Sequence, residues 1–115
     1  LLWQNRHEPT PLLVINTTPL GMRGKAEQDT PYDFSLGTPP APANDAKATP
    51  LAYDIVYNPL ETRFLREARA AGRRCISGLE MFLGQGDAQF RLWTGQGLPP
   101  ESRRALEAAL GQQPR

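Results

Sequence analysis

Two apolar runs constrain the fold of this chain more than anything else in it. Leu12-Leu13-Val14-Ile15 and Leu51-Ala52-Tyr53-Asp54-Ile55-Val56-Tyr57 are each bounded by prolines and asparagines. Continuous apolar runs of this length suit strands buried on both faces, as in a parallel sheet. The first run stops at Asn16-Thr17-Thr18-Pro19, where Pro19 lacks the N–H that a sheet ladder needs. Asn58-Pro59-Leu60-Glu61 reads as the turn after the second. Thr62 is a plausible N-cap for a helix over Arg63–Ala71, with Gly72 as its C′ residue. Phe64, Leu65, Ala68 and Ala71 give that helix one apolar face. Arg73-Arg74-Cys75-Ile76-Ser77 follows as a short third strand. The result is an α/β layout with parallel crossovers.

Gly78 opens a longer helical pattern to about Trp93, with Leu79, Phe82, Leu83, Phe90 and Trp93 on a broad stripe. Gly84 and Gly86 weaken its helicity, which suggests close approach by another backbone or a ligand. Gly95 and Gly97 end it. Pro100 suits the first position of a last helix, with Leu106, Ala109 and Leu110 as its apolar face and Gly111 after its end. Between the first two strands, residues 30–50 hold Pro31, Pro39, Pro40, Pro42 and Pro50. This stretch reads as exposed and extended, and is long enough to be mobile or a site lid. Three strands are too few to cover a sheet of this type, so the chain reads as half of something. Its start at Leu rather than Met points the same way, to a cleaved product or part of a longer protein.

Composition narrows the function classes. Thirteen Lys+Arg against 12 Asp+Glu leave a net charge of +1 in 115 residues. That is too weak to argue for nucleic acid or an anionic membrane as partner. No apolar run approaches the roughly 18 residues needed to span a bilayer. The single cysteine, Cys75, rules out an internal disulfide framework and fits a reducing cytoplasm. No metal-ligand cluster, Ser–His–Asp set, acid–base carboxylate pair or Gly-rich phosphate loop is present. His7 is the one histidine, near the start, and is a poor catalytic candidate. Glu67 and Glu80 read as solvated helix charges.

In open parallel sheets, ligands bind beyond the carboxyl ends of the strands. Three segments qualify: Asn16 to Met22, Tyr57-Asn58-Pro59, and Gly78-Leu79-Glu80-Met81. All three follow a strand and so belong on one edge. The alternative for Asn16 and Thr18 is that they only tie a turn. Tyr57 is either a site hydroxyl or a core aromatic with a wet tip, and Met81 is either core or a cofactor contact. Gln85, two helical turns past Gly78, faces the same way and could bond a ligand.

At these residues the sequence resembles the shikimate dehydrogenase family. The motifs are Val14-Ile15-Asn16-Thr17-Thr18-Pro19-Leu20-Gly21-Met22, then Tyr53-Asp54-Ile55-Val56-Tyr57-Asn58-Pro59-Leu60-Glu61-Thr62. Gly78-Leu79-Glu80-Met81-Phe82-Leu83-Gly84-Gln85-Gly86 and Gln89-Phe90-Arg91-Leu92-Trp93-Thr94-Gly95 complete the set. Four motifs in family order carry the likeness from about residue 11 to residue 110.

The resemblance implies an NADP-dependent, reversible reduction of 3-dehydroshikimate to shikimate, a step towards aromatic amino acids. It implies a partial Rossmann-like three-layer parallel sheet: residues 1–98 as the C-terminal half of the cofactor domain, and 99–115 as a closing helix and tail. The family's catalytic Lys–Asp pair and phosphate turn belong to the part before these residues, in cis or as a separate chain. By motif position, Thr18, Pro19, Ile55 and the carbonyl of Gly78 would hold the cofactor. Tyr57 and Gln85 would reach the substrate hydroxyls. Ile55 stands where other members carry Met or Leu, Phe82 where Leu is commoner, and Gly84 where Ala is. The other readings are a paralogue that acts on quinate or uses NAD, a non-catalytic remnant, and a module that binds a partner.

Overall fold

The structure, a computed structural model, describes residues 3–7, 11–36 and 49–111. Three parallel strands, β1 (Leu13–Asn16), β2 (Leu51–Asp54) and β3 (Arg74–Ile76), form one sheet in the order β1-β2-β3. Leu13 pairs with Leu51 and Asn16 with Asp54, so β1 and β2 end side by side. The helices are α1 (Arg63–Ala70), between β2 and β3, then α2 (Gly78–Thr94) and α3 (Ser102–Gly111). The α/β class and parallel sheet inferred from the two apolar runs are therefore present.

Thr62 caps α1 by accepting from the Leu65 amide at 3.2 Å, and Gly72 takes a left-handed turn (φ 83°) beyond its end. Helix α1 buries Phe64, Leu65 and Ala68 against Ala52, Val14 and Cys75 on one sheet face. Fully buried side chains such as Phe64 and Leu65 each contribute about 1.5–3 kcal/mol. Tyr32 and Phe34 complete this core, with Phe34 edge-on to Phe64 at 5.1 Å. Among the described residues no helix joins β1 to β2, and this irregular aromatic segment packs on the sheet instead. The expectation that residues 30–50 are simply exposed is thus corrected for Tyr32, Phe34 and Pro50, which are buried. Residues 37–48 lie outside the described residues. His7 has a structural place here: its Nε2 accepts from the Asp33 amide at 2.7 Å and its ring lies 4.8 Å from Tyr32.

Arg73 is buried at the starting end of the strands. Its Nη2 donates to the Pro11 carbonyl at 2.8 Å, and its Nη1 reaches those of Leu12 and Leu51 at 3.3 and 3.4 Å. Its guanidinium also lies over Phe34.

The expectation that β1 is buried on both faces does not hold. Strand side chains alternate; Val14 faces the core, whereas Leu13 and Ile15 are 49% and 47% exposed. No described element covers that second face of β1. Other differences are smaller. The second strand stops at Asp54 rather than Tyr57. Pro100 and Glu101 form a turn before α3, and Gly111 is its last residue. The close approach expected at Gly84 is absent among the described residues, and at Gly86 only the Leu98 side chain comes near. Helix α2 buries only Gly78 and Leu79, and Trp93 is exposed. Two contacts tie α2 to the segment beyond its end. Arg103 donates to both oxygens of Glu80 at 2.7 Å, and Asp87 Oδ1 accepts from the Leu98 amide at 2.8 Å.

Candidate functional site

The rim at the carboxyl ends of the strands is built on Asn16, which is 1% exposed. Its Nδ2 donates to the Leu20 carbonyl and to Asp54 Oδ1, both at 3.0 Å. Its Oδ1 accepts from the Thr18 amide at 2.9 Å and from the Thr18 hydroxyl at 2.6 Å. Thr18 Oγ1 in turn accepts from the Leu20 amide at 3.2 Å. The two side chains therefore do tie the turn, one of the alternatives the sequence left open. Gly21, with φ 95°, then reverses the chain and its amide donates to Ala26.

Asp54 carries the second half of this network. It is fully buried. Besides Asn16, its Oδ1 accepts from the Val56 amide at 2.9 Å, and its Oδ2 from the Thr62 hydroxyl at 2.5 Å. Burial pushes its carboxyl up from the ordinary value of 3.8, against the opposing pull of these three hydrogen bonds. Sequence reasoning missed this role. The available signal was one carboxylate inside an apolar run, because a buried polar group needs partners. Thr62 was legible only as a cap.

Above the network lies an open groove of about 500 Å³ whose walls include Thr18, Pro19, Arg23, Ile55 and Tyr57. The Arg23 amide donates to the Asn58 carbonyl at 2.9 Å and joins the two rim loops, next to a cis Asn58–Pro59 bond. Gly78 is buried against the same loop. A Cβ there would collide with the carbonyl oxygens of Val56 and Ile55, at 2.5 Å from the latter. Only glycine lets α2 begin so close to the Ile55–Val56 backbone. The Tyr57 ring then lies on that of Phe82 in α2, centroids 4.4 Å apart. Gln85 is exposed on α2, one turn beyond Phe82, and neighbours on a helix at this spacing share a face. Thus Thr18, Pro19, Ile55 and Tyr57 share one groove, Gly78 backs the Ile55–Val56 segment, and Gln85 stands outside the wall on the helix that Tyr57 touches. Met81 is 43% exposed.

The chemistry available here is binding and orientation: apolar surface from Pro19 and Ile55, a phenol at Tyr57, and rigid backbone groups. No group of three or more metal-ligating side chains occurs among the described residues. A second cleft, beside Cys75, Arg69 and Glu80, holds no activated thiol. Burial pushes Cys75 up, and its Sγ–H donates to the Leu65 carbonyl at 3.5 Å. No described helix is long and apolar enough to cross a membrane.

Comparison with known proteins points the same way as the motifs. Residues 78–106 match the family model described as the shikimate 5'-dehydrogenase C-terminal domain. Over 94% of its length the chain is 51% identical to 36% of a shikimate dehydrogenase (NADP(+)) from Pelobacter propionicus. A structure of the Thermus thermophilus shikimate 5-dehydrogenase in complex with shikimate is 35% identical, with a TM-score of 0.67, over 96% of this chain and 37% of that one. A quinate dehydrogenase from Corynebacterium glutamicum in complex with NAD is 34% identical with a TM-score of 0.65, over 85% of this chain and 31% of that one. The chain spans about a third of the length of the curated relatives it matches. The likeness to shikimate dehydrogenases, read first from four motifs, thus holds in sequence, family model and fold.

Proposed function

We propose that this chain forms the part of an NADP-dependent shikimate dehydrogenase that holds the nicotinamide end of the cofactor and the adjoining side of the substrate. The observation that carries the reading is the placement of Thr18, Pro19, Ile55 and Tyr57 in one groove, with Gly78 pressed behind it. Residues 1–98 belong in this reading to the second half of the cofactor domain, and 99–115 to a closing helix and tail.

The residues fit a nicotinamide ring. Ile55 and Pro19 offer apolar surface to a flat heterocycle and keep water from it. At Gly78 no side chain stands between α2 and the Ile55–Val56 backbone, and its carbonyl is the acceptor assigned in this reading to the ring carboxamide. Bound NADPH supplies the hydride for reducing a ketone. The Tyr57 hydroxyl and the Gln85 amide orient the ring hydroxyls of a cyclic acid, which fixes the face presented for reaction. The acid–base pair and the phosphate turn implied by the family likeness lie outside these residues, in the same polypeptide or a second one. The 115-residue chain alone is therefore expected to show no turnover. A reducing cytoplasm suits its lone thiol.

The test is a chimera in which this chain replaces its matching segment in the Pelobacter propionicus relative. NADPH oxidation driven by 3-dehydroshikimate supports the reading, and a folded chimera without turnover overturns it. The likeness to a quinate dehydrogenase in complex with NAD favours a second reading. The same chimera assayed with quinate and NAD separates the two.

A further inference from the structure

Each rim element is closed by local bonds of its own. The Asn16 side chain closes the turn to Leu20, and Thr62 caps α1. Two backbone bonds run between the turn and the loop after β2, from the Ile55 amide to the Asn16 carbonyl at 3.1 Å and from the Arg23 amide to the Asn58 carbonyl at 2.9 Å, but neither reaches α1. Asp54 is the group the three elements have in common. One donor reaches it from the tip of β1, one from the loop beyond β2, and one from the residue that opens α1.

We propose that Asp54 is a positioning residue for the reaction. It acts through Asn16 on the Thr18–Leu20 turn, and through the Val56 amide on Ile55 and Tyr57. This rests on reading the groove as the nicotinamide and substrate site. An apolar residue could fill the same volume, but it would leave the Asn16 amide, the Val56 N–H and the Thr62 hydroxyl without this acceptor. A carboxylate offers two acceptor oxygens and no donor, which matches three incoming donors. Burying a charge is costly, and well-packed apolar groups often serve stability as well. Its position at the last residue of β2, facing the rim, ties the carboxylate to the geometry of the groove.

The experiment uses the chimera with Asp54→Ala and Asp54→Asn. Asparagine keeps one oxygen for Asn16 and Val56. Asp54→Ala should lower kcat/KM for 3-dehydroshikimate about 100-fold per folded molecule, the scale of a small misplacement of the reacting groups. Its KM should rise, while Asp54→Asn should stay within about tenfold of the parent. An unchanged KM, with the loss fully explained by a smaller folded fraction, overturns the proposal. So does an asparagine variant no better than alanine. If the parent chimera is itself inactive, the functional reading fails, and amide hydrogen exchange in the same proteins decides the positioning role. Faster exchange at both Thr18 and Val56 in Asp54→Ala supports it, and an unchanged Thr18 amide overturns it.

Discussion

The phenol ring of Tyr57 lies on the ring of Phe82, centroids 4.4 Å apart and tilted by 37°. It links the loop after β2 to the face of α2 that carries Gln85. Phe82→Ala should cost about 1 kcal/mol from the aromatic pair alone, read as a lower melting temperature of the chimera. It should also raise KM for 3-dehydroshikimate, because α2 loses its anchor on the rim. A melting shift with unchanged KM would separate Phe82 from the substrate side.

Gln85→Ala should leave the melting temperature nearly unchanged, since the side chain is exposed. Its KM for 3-dehydroshikimate should rise several-fold, as expected for a lost hydrogen bond of about 1 kcal/mol to substrate. Steady-state kinetics checks this, and an unaltered KM removes Gln85 from the site.

Gly78→Ala should destabilise by about 1–3 kcal/mol, the usual cost of forcing atoms into a packed site. The added Cβ meets backbone carbonyls, which cannot rotate aside as a side chain could. Thermal unfolding measures the loss, and NADPH titration should show weaker binding as α2 moves off the Ile55–Val56 backbone.

Asp54 and Glu80 should respond to pH in opposite directions. Burial raises the Asp54 carboxyl above 3.8 in the folded state. Its stability contribution is full below that value and is lost as pH rises through the folded value. Glu80 is held below 4.5 by the hydrogen bonds from Arg103, so its contribution is present above 4.5 and lost as pH falls through the folded value. Melting temperatures across this range should show the parent gaining on Asp54→Asn as pH falls, and losing its advantage over Glu80→Gln.

The Glu80–Arg103 pair is about half exposed. Glu80→Gln should cost no more than about 1 kcal/mol. The difference should largely vanish in about 1 M salt, where screening reaches about 3 Å. A melting difference unchanged by salt would point to packing rather than charge.

The strands and caps were legible because their signals are local. Pro11 and Pro19 bracket β1, Thr62 has an acceptor-seeking amide three residues on, and Gly72 and Gly95 take the left-handed turns that glycine permits. The exposed half of β1 was not legible, since an apolar run does not say which faces find a covering layer. Tyr32 and Phe34 were hidden by their proline-rich surroundings, although two aromatics amid small polar residues were a cue to burial. The groove residues came from motif order. The carboxylate beneath them depends on which strand ends lie abreast, and that register is a property of the assembled sheet.

The buried arginine at the far end of the sheet has a consequence when set beside Asp54. At one end a guanidinium gathers backbone carbonyls from the segment that leads into β1 and from the first residue of β2. At the other the carboxylate that ends β2 accepts from Asn16 at the tip of β1 and from the Val56 amide just beyond β2. A slip of either strand by one residue would misalign both clasps at once and turn its inward side chains outward. Opposite charges at opposite ends thus act as a pair of stops, so that β1 and β2 have one alignment in which neither charge is stranded.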